Sequence, residues 1–246
     1  MNKAFVAYIM GGPHFIEELK VLDRSGADYV EIGIPFSDPV ADGPIIKAAG
    51  ERAIAAGMTL EVILNQLSAH RHELSTNLIL MTYAHMIETY GEAAFMHKMD
   101  ELQIYGVIIP DMPFEYIEQL KARYPKRKVK LISLVAMTAS EDRMKAIAEK
   151  AEGFIYTVTM NQTTGQDGNF HPELKQRIQK LKAYTSLPVM AGFGIRDASQ
   201  VQDIITVSDG VIIGSEIVKR FHETGKDETA AYLQNIRDVL NEASTM

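Results

Sequence analysis

The feature that most constrains this chain is a rhythm. Short apolar runs bounded by turn residues recur eight times and alternate with amphipathic helical stretches. The runs are residues 4–10, 28–32, 77–83, 105–110, 129–135, 153–158, 187–192 and 209–214. They do not alternate cleanly between apolar and polar, so each strand must be covered on both faces, as in a parallel sheet. Helical periodicity fills the intervals. Ile16, Leu19 and Leu22 share one face, as do Leu60, Ile63, Leu64 and Leu67, and then Phe114, Ile117 and Leu120. Pro113 suits a first helical turn, and Ser140 opens a further helix with Met144, Ile147 and Ala148 on its apolar side. Later helical patterns cover residues 174–182, 197–205 and 228–240. Strand then helix, eight times in 246 residues, predicts an α/β fold: a single-domain (β/α)8 TIM barrel over residues 1–246. The first run starts at residue 4, so a helix ahead of it is expected to be short or missing.

Composition narrows the function. Lys and Arg number 25 against 32 Asp and Glu, for a net charge of -7. That balance argues against a nucleic-acid or membrane surface, though backbone N–H groups can still hold a phosphate. With no Cys, disulfides, thiolate metal sites and thiol nucleophiles are excluded. The scattered histidines form no metal-binding spacing, so no metal site is expected. No run is long enough to span a bilayer, and residues 1–13 lack a signal-peptide pattern. A cytoplasmic protein is the expectation.

Chemistry concentrates at two places. The first is residues 29–44, YVEIGIPFSDPVADGP. Glu31 stands between Val30 and Ile32; if those two face the helices, Glu31 faces the barrel interior near its top. Burial there raises a carboxyl pKa, which suits a group that gives and takes a proton near neutrality. A structural carboxylate bonded to backbone or Lys is the alternative. Asp42, on the loop that follows, is either a second acid or a cap for the helix starting at Pro44. Asp38 reads as a turn residue before Pro39. The second place is the exit from the last two runs. Gly192, Gly194 and Gly214 let backbone approach an anion, and Ser215 adds a hydroxyl. In barrels these two positions are the usual phosphate grip. Residues 159–169, polar with two glycines, could close over a ligand. Tyr156 just before them either points inward or fills the barrel.

Taken together, YVEIGIPFSDPVADGP, the turn GFGI, the exit IIGSEIV, and the stretches MTYAHMI and IIPDMP resemble the tryptophan synthase alpha chain family over nearly the whole chain. The resemblance implies a barrel that cleaves indole-3-glycerol phosphate to indole and glyceraldehyde 3-phosphate by a retro-aldol step. Its catalytic glutamate and aspartate fall on Glu31 and Asp42. The substrate-binding positions fall on Tyr8, Tyr83, Tyr156 and Phe193, and the phosphate-binding ones on Gly165, Gly194, Gly214 and Ser215. The partner-facing surface falls on Pro35, Phe36, Asp38, Asp111 and Pro113. The implied partner is a beta chain that carries pyridoxal phosphate, in a heterotetramer of two alpha and two beta chains. No cofactor is implied in this chain.

The sequence departs from the family at GGP after the first run, where GDP is usual. It departs again at TMNQTTG, where Ser-Arg-x-Gly-Val-Thr-Gly is common, and at His85, where Asn is common. Two other readings follow: a weakly active subunit that mainly activates a beta chain, or another phosphate-binding barrel enzyme of amino-acid biosynthesis. The second would call for a catalytic Lys at a strand end or an Asp pair at the first and fifth strands. The first run has no Asp, and Lys130 sits at the start of its run.

Overall fold

In the computed structural model, which describes residues 2–39, 42–158, 170, 172–192 and 194–245, every apolar run carries parallel strand. The strands are β1 (Ala4–Met10), β2 (Tyr29–Gly33), β3 (Asn77–Met81), β4 (Gly106–Ile108), β5 (Lys130–Leu131), β6 (Ser133–Ala136), β7 (Ile155–Val158), β8 (Val189–Gly192) and β9 (Gly210–Ile213). Their order is β5-β4-β3-β2-β1-β9-β8-β7-β6. The two ends of that order, β5 and β6, are consecutive pieces of one run, separated only by Ile132. β5 bonds to β4 and β6 bonds to β7, while the N–H of Ile132 donates to Val107 O at 3.0 Å. One strand thus shares its hydrogen bonds between both neighbours, and the sheet closes into a barrel.

Helices cover the outside: α1 (Phe15–Arg24), α2 (Pro44–Ala55), α3 (Leu60–His70), α4 (Ala84–Tyr90), α5 (Glu92–Glu101), α6 (Phe114–Arg123), α7 (Glu141–Lys150), α8 (Pro172–Ala183), α9 (Ala198–Ile204), α10 (Ser215–Glu223) and α11 (Lys226–Thr245). The apolar faces read from the sequence are the ones that are buried, including Leu60, Ile63, Leu64 and Leu67 of α3 and Leu174, Ile178 and Leu181 of α8. Thr59, Ser140 and Asp197 cap α3, α7 and α9 by accepting from Val62, Arg143 and Gln200 N–H groups, which satisfies donors that the first turn leaves open. Pro113 sits at the N-cap of α6, one place ahead of the expected first turn. The pair α4 and α5 was not anticipated. Gly91, at φ +96°, separates them, a conformation costly for residues with a Cβ.

Two apolar layers result. Val30 and Ile32 belong to the large core between sheet and helices. Val6, Ile79, Ile108, Ile132, Phe154, Met190 and Ile212 fill the barrel interior, with Tyr29 packed against them. The base is tied by polar bonds. Asp28 accepts from Phe5 N–H at 2.8 Å and from Arg237 of α11 at 2.9 Å, and Arg237 also donates to Lys3 O.

The interior leaves no room at Gly210. A Cβ there would lie 2.5 Å from both Ala4 O and Met190 Sδ. Gly210→Ala should therefore cost about 1–3 kcal/mol by overpacking, read as a lower urea midpoint with an unchanged m-value.

Candidate active site

Strand alternation places the first acid. β2 puts Tyr29, Glu31 and Gly33 on the inner face, because Val30 and Ile32 face the helices. In register, Tyr8 lies beside Glu31, and Glu31 beside Ile79. Glu31 is fully buried, 0 % exposed, as its place in the run predicted. Neither carboxyl oxygen has a hydrogen-bond partner among the described residues. The structural alternative, a carboxylate bonded to backbone or Lys, therefore finds no support among them. Burial first, and then the charge of Asp42, push its carboxyl up to about 8.

Asp42 follows on the loop between β2 and α2, and is half-buried. Gly43, not Asp42, holds the N-cap of α2, and Pro44 begins the helix. Burial raises the Asp42 carboxyl. It lies close enough to Glu31 for its charge to help raise the Glu31 carboxyl.

Three tyrosines share this field. Burial holds the Tyr8 phenol well above its ordinary range, with Asp42, Glu31, Tyr83 and Tyr156 adding to the effect. Tyr156 is raised by burial and then by Glu31 and Asp42. Glycines make room for the rings. The Tyr8 hydroxyl occupies the space where a Gly33 side chain would begin, and the Tyr156 ring lies 2.5 Å from where a Gly192 Cβ would stand. Tyr83 is buried and stacks on Phe36, with centroids 4.8 Å apart. The structure thus gathers Glu31, Asp42, Tyr8, Tyr83 and Tyr156 from three strands and two strand exits into one electrostatic cluster. Phe193 and Gly165 lie outside the described residues, as do residues 159–169.

The anion-binding expectation divides between two helices. Gly194 is exposed at φ +68°, but α9 behind it is already capped by Asp197, which accepts from Gln200 N–H and Ser199 Oγ. At α10, Gly214 is the N-cap, supplies no side chain, and leads directly into Ser215. Among the described residues no side chain caps that helix start, which suits its N–H groups to an anion. Gly214 also faces the tyrosine cluster: a Cβ there would stand 3.4 Å from Tyr8 Cβ. Among the described residues, no group of His, Asp and Glu side chains has the arrangement of a metal site.

The expected partner surface is split. Asp38, Asp111 and Pro113 are exposed, Phe36 is half-buried under its stack with Tyr83, and Pro35 is buried. Asp111 has a structural task that spacing did not reveal. Both its oxygens accept from Ala84 N–H, at 3.0 and 3.3 Å, and so it caps α4 from another loop. No local signal marks it, because donor and acceptor are 27 residues apart.

A buried acid with a raised pKa links stability to pH. Between its unfolded value, near 4.5, and its folded value, about 8, the folded state holds a proton that the unfolded chain has released. Stability therefore falls as pH rises through that window. Glu31→Gln should remove this loss, on the order of a few kcal/mol. Its urea midpoint should exceed the parent's at pH 8, with the gap narrowing toward pH 5.

Comparison with known proteins places this geometry. The family model described as tryptophan synthase alpha chain matches residues 1–245. The tryptophan synthase alpha chain of Staphylococcus saprophyticus is 56% identical over 241 residues, covering 98% of this chain and 100% of that one. The crystal structure of the alpha chain from Legionella pneumophila is 30% identical, with a TM-score of 0.89 over 100% of this chain and 94% of that one. Tryptophan synthase from M. tuberculosis, in its aminoacrylate-bound form, is 27% identical, with a TM-score of 0.86 over 97% and 94%.

Proposed function

The chain belongs to the tryptophan synthase alpha chain family, a lyase that cleaves indole-3-glycerol phosphate in tryptophan biosynthesis, and we propose that Glu31 and Asp42 carry its chemistry. The observation behind this reading is the pair itself: a fully buried acid raised to about 8, and a second acid within its field, at the mouth of a barrel. Breaking the C3–C3′ bond requires a proton on indole C3 and removal of the proton from the C3′ hydroxyl. Glu31 carries a proton near neutrality; it gives that proton to C3 as the acid and then, as the base on the glycerol side, takes the C3′ hydroxyl proton. Asp42 accepts a hydrogen bond from the ring N–H and steadies the positive charge that grows there as C3 is protonated. The electrons of the broken bond return to the indole ring, and the hydroxyl carbon leaves as an aldehyde.

Tyr8, Tyr83, Tyr156 and Phe193 pack the substrate in this proposal. Gly194, Gly214, Ser215 and Gly165 hold its phosphate, with the open start of α10 the strongest single element. Fixing that unreactive end turns binding energy into alignment of the scissile bond. No step draws on a cofactor in this chain.

The likeness to solved tryptophan synthases fits a beta-chain partner. We extend this to a heterotetramer of two alpha and two beta chains in the cytoplasm, with pyridoxal phosphate in the partner. Asp38, Asp111 and Pro113 present exposed surface for it. Beside Phe36, a cleft of about 430 Å³ lined by Leu60, Met86 and Tyr90 adds an apolar edge.

The test is steady-state cleavage of indole-3-glycerol phosphate, by the chain alone and with a beta chain. Glu31→Gln should lower kcat by roughly 10²–10⁴ or more in both settings, with circular dichroism unchanged. Asp42→Asn should lower it by a similar factor, and a change below twofold would make Asp42 a loop residue only. Gly214→Val should raise KM more than it lowers kcat, and inorganic phosphate should compete with substrate. An unchanged KM would remove α10 from the phosphate grip.

A further inference from the structure

A separate cavity of about 420 Å³ lies outside the barrel, where α1, α2 and α10 meet beyond the end of β1. Its size is that of a small-ligand pocket. Met10, Ala49, Ala53, Val218 and Phe221 supply apolar wall, and Glu18 of α1 is its one carboxylate. Glu18 is half-buried. The charges that act on it are Lys226, at the start of α11, and its neighbour Glu17. His14 beside α1, Arg52 of α2 and His222 of α10 also line the cavity, but all three are exposed, and none perturbs the carboxyl.

We propose that this cavity is a second small-molecule site, which takes an organic ammonium with its cation on Glu18 and its apolar body against Met10, Ala49, Val218 and Phe221. The chemistry selects that class. An anion set against the apolar wall would meet the Glu18 carboxyl, while the cationic Arg52 on the lining is exposed. A neutral apolar molecule would leave the desolvated carboxyl with only the charge of Lys226 to answer it. An ammonium answers both, because it supplies donors and charge to the acid while the Phe221 ring and the aliphatic wall take its body. Burial already holds the Glu18 carboxyl up at about 7, so a bound cation gains by restoring the ionised form. The barrel mouth plays no part in this site, and the proposal stands apart from the lyase reaction.

The test is an NMR titration of the full chain with benzylamine, which is cationic, and with benzyl alcohol, which has the same apolar body and no charge. Saturable shifts are expected in the amides of Glu18, Val218 and Phe221, with benzylamine binding about tenfold more tightly at pH 8. That preference should shrink at pH 6, as Glu18 takes up its proton. Glu18→Gln, isosteric and uncharged, should erase both the preference and its pH dependence, which separates Glu18 from His14 and His222. Equal affinity for the two probes, a preference that survives in Glu18→Gln, or shifts confined to Tyr8, Tyr83 and Tyr156 would each overturn the proposal.

Discussion

Everything in this molecule depends on the closure of the sheet at one strand. Leu131 and its neighbour Lys130 bond to β4, while Ser133 to Ala136 bond to β7, and Ile132 lies between them inside the barrel. Because a single strand serves both neighbours, the sheet has no edge to protect. All strands are parallel, so their C-terminal ends must gather on one rim. The period of two then decides which residues can see the centre of that rim. Glu31 is inside for the same reason that Val30 and Ile32 are outside.

That placement makes the acid both unstable and useful. A carboxyl deprived of water, with no hydrogen-bond partner among the described residues, favours its protonated form. Asp42 adds to the effect from the next loop. Crowding is part of the design: Gly33 and Gly192 have no side chains, and so the Tyr8 and Tyr156 rings can lean across the mouth. The open start of α10 beside Tyr8 adds a positive helix end to a cluster otherwise made of acids and phenols. A substrate with a phosphate at one end and a heterocycle at the other suits such a mouth.

Much of this was legible in the chain. The eight runs all became strand, the apolar helix faces were buried as read, and the side of Glu31 followed from its two neighbours. The identity of the reaction was legible only through the family resemblance, carried most specifically by the long motif around Asp42, since spacing alone left Asp42 open between acid and helix cap. The structure resolved part of that ambiguity by giving the N-cap of α2 to Gly43. It also separated the two glycine-rich exits, because Asp197 already caps α9 and, among the described residues, no side chain caps α10. Contacts between distant segments were not legible at all. Asp111 reaching the start of α4, Phe36 stacking on Tyr83, and Glu18 joining α1 to a cavity walled by α2 and α10 depend on how loops and helices dock.

The amino-acid sequence by itself determined the number of strands, their parallel arrangement, the helix faces and the inward direction of Glu31. These follow from local periodicity, and periodicity survives any packing that keeps the core dry. Only the tertiary structure decided which groups share an electrostatic field, how far each carboxyl is pushed from its ordinary value, and which helix start stays open. Those properties belong to distances between segments far apart in the chain. Desolvation and Coulomb energy depend on the environment that folding assembles, and no single stretch of residues carries that environment with it.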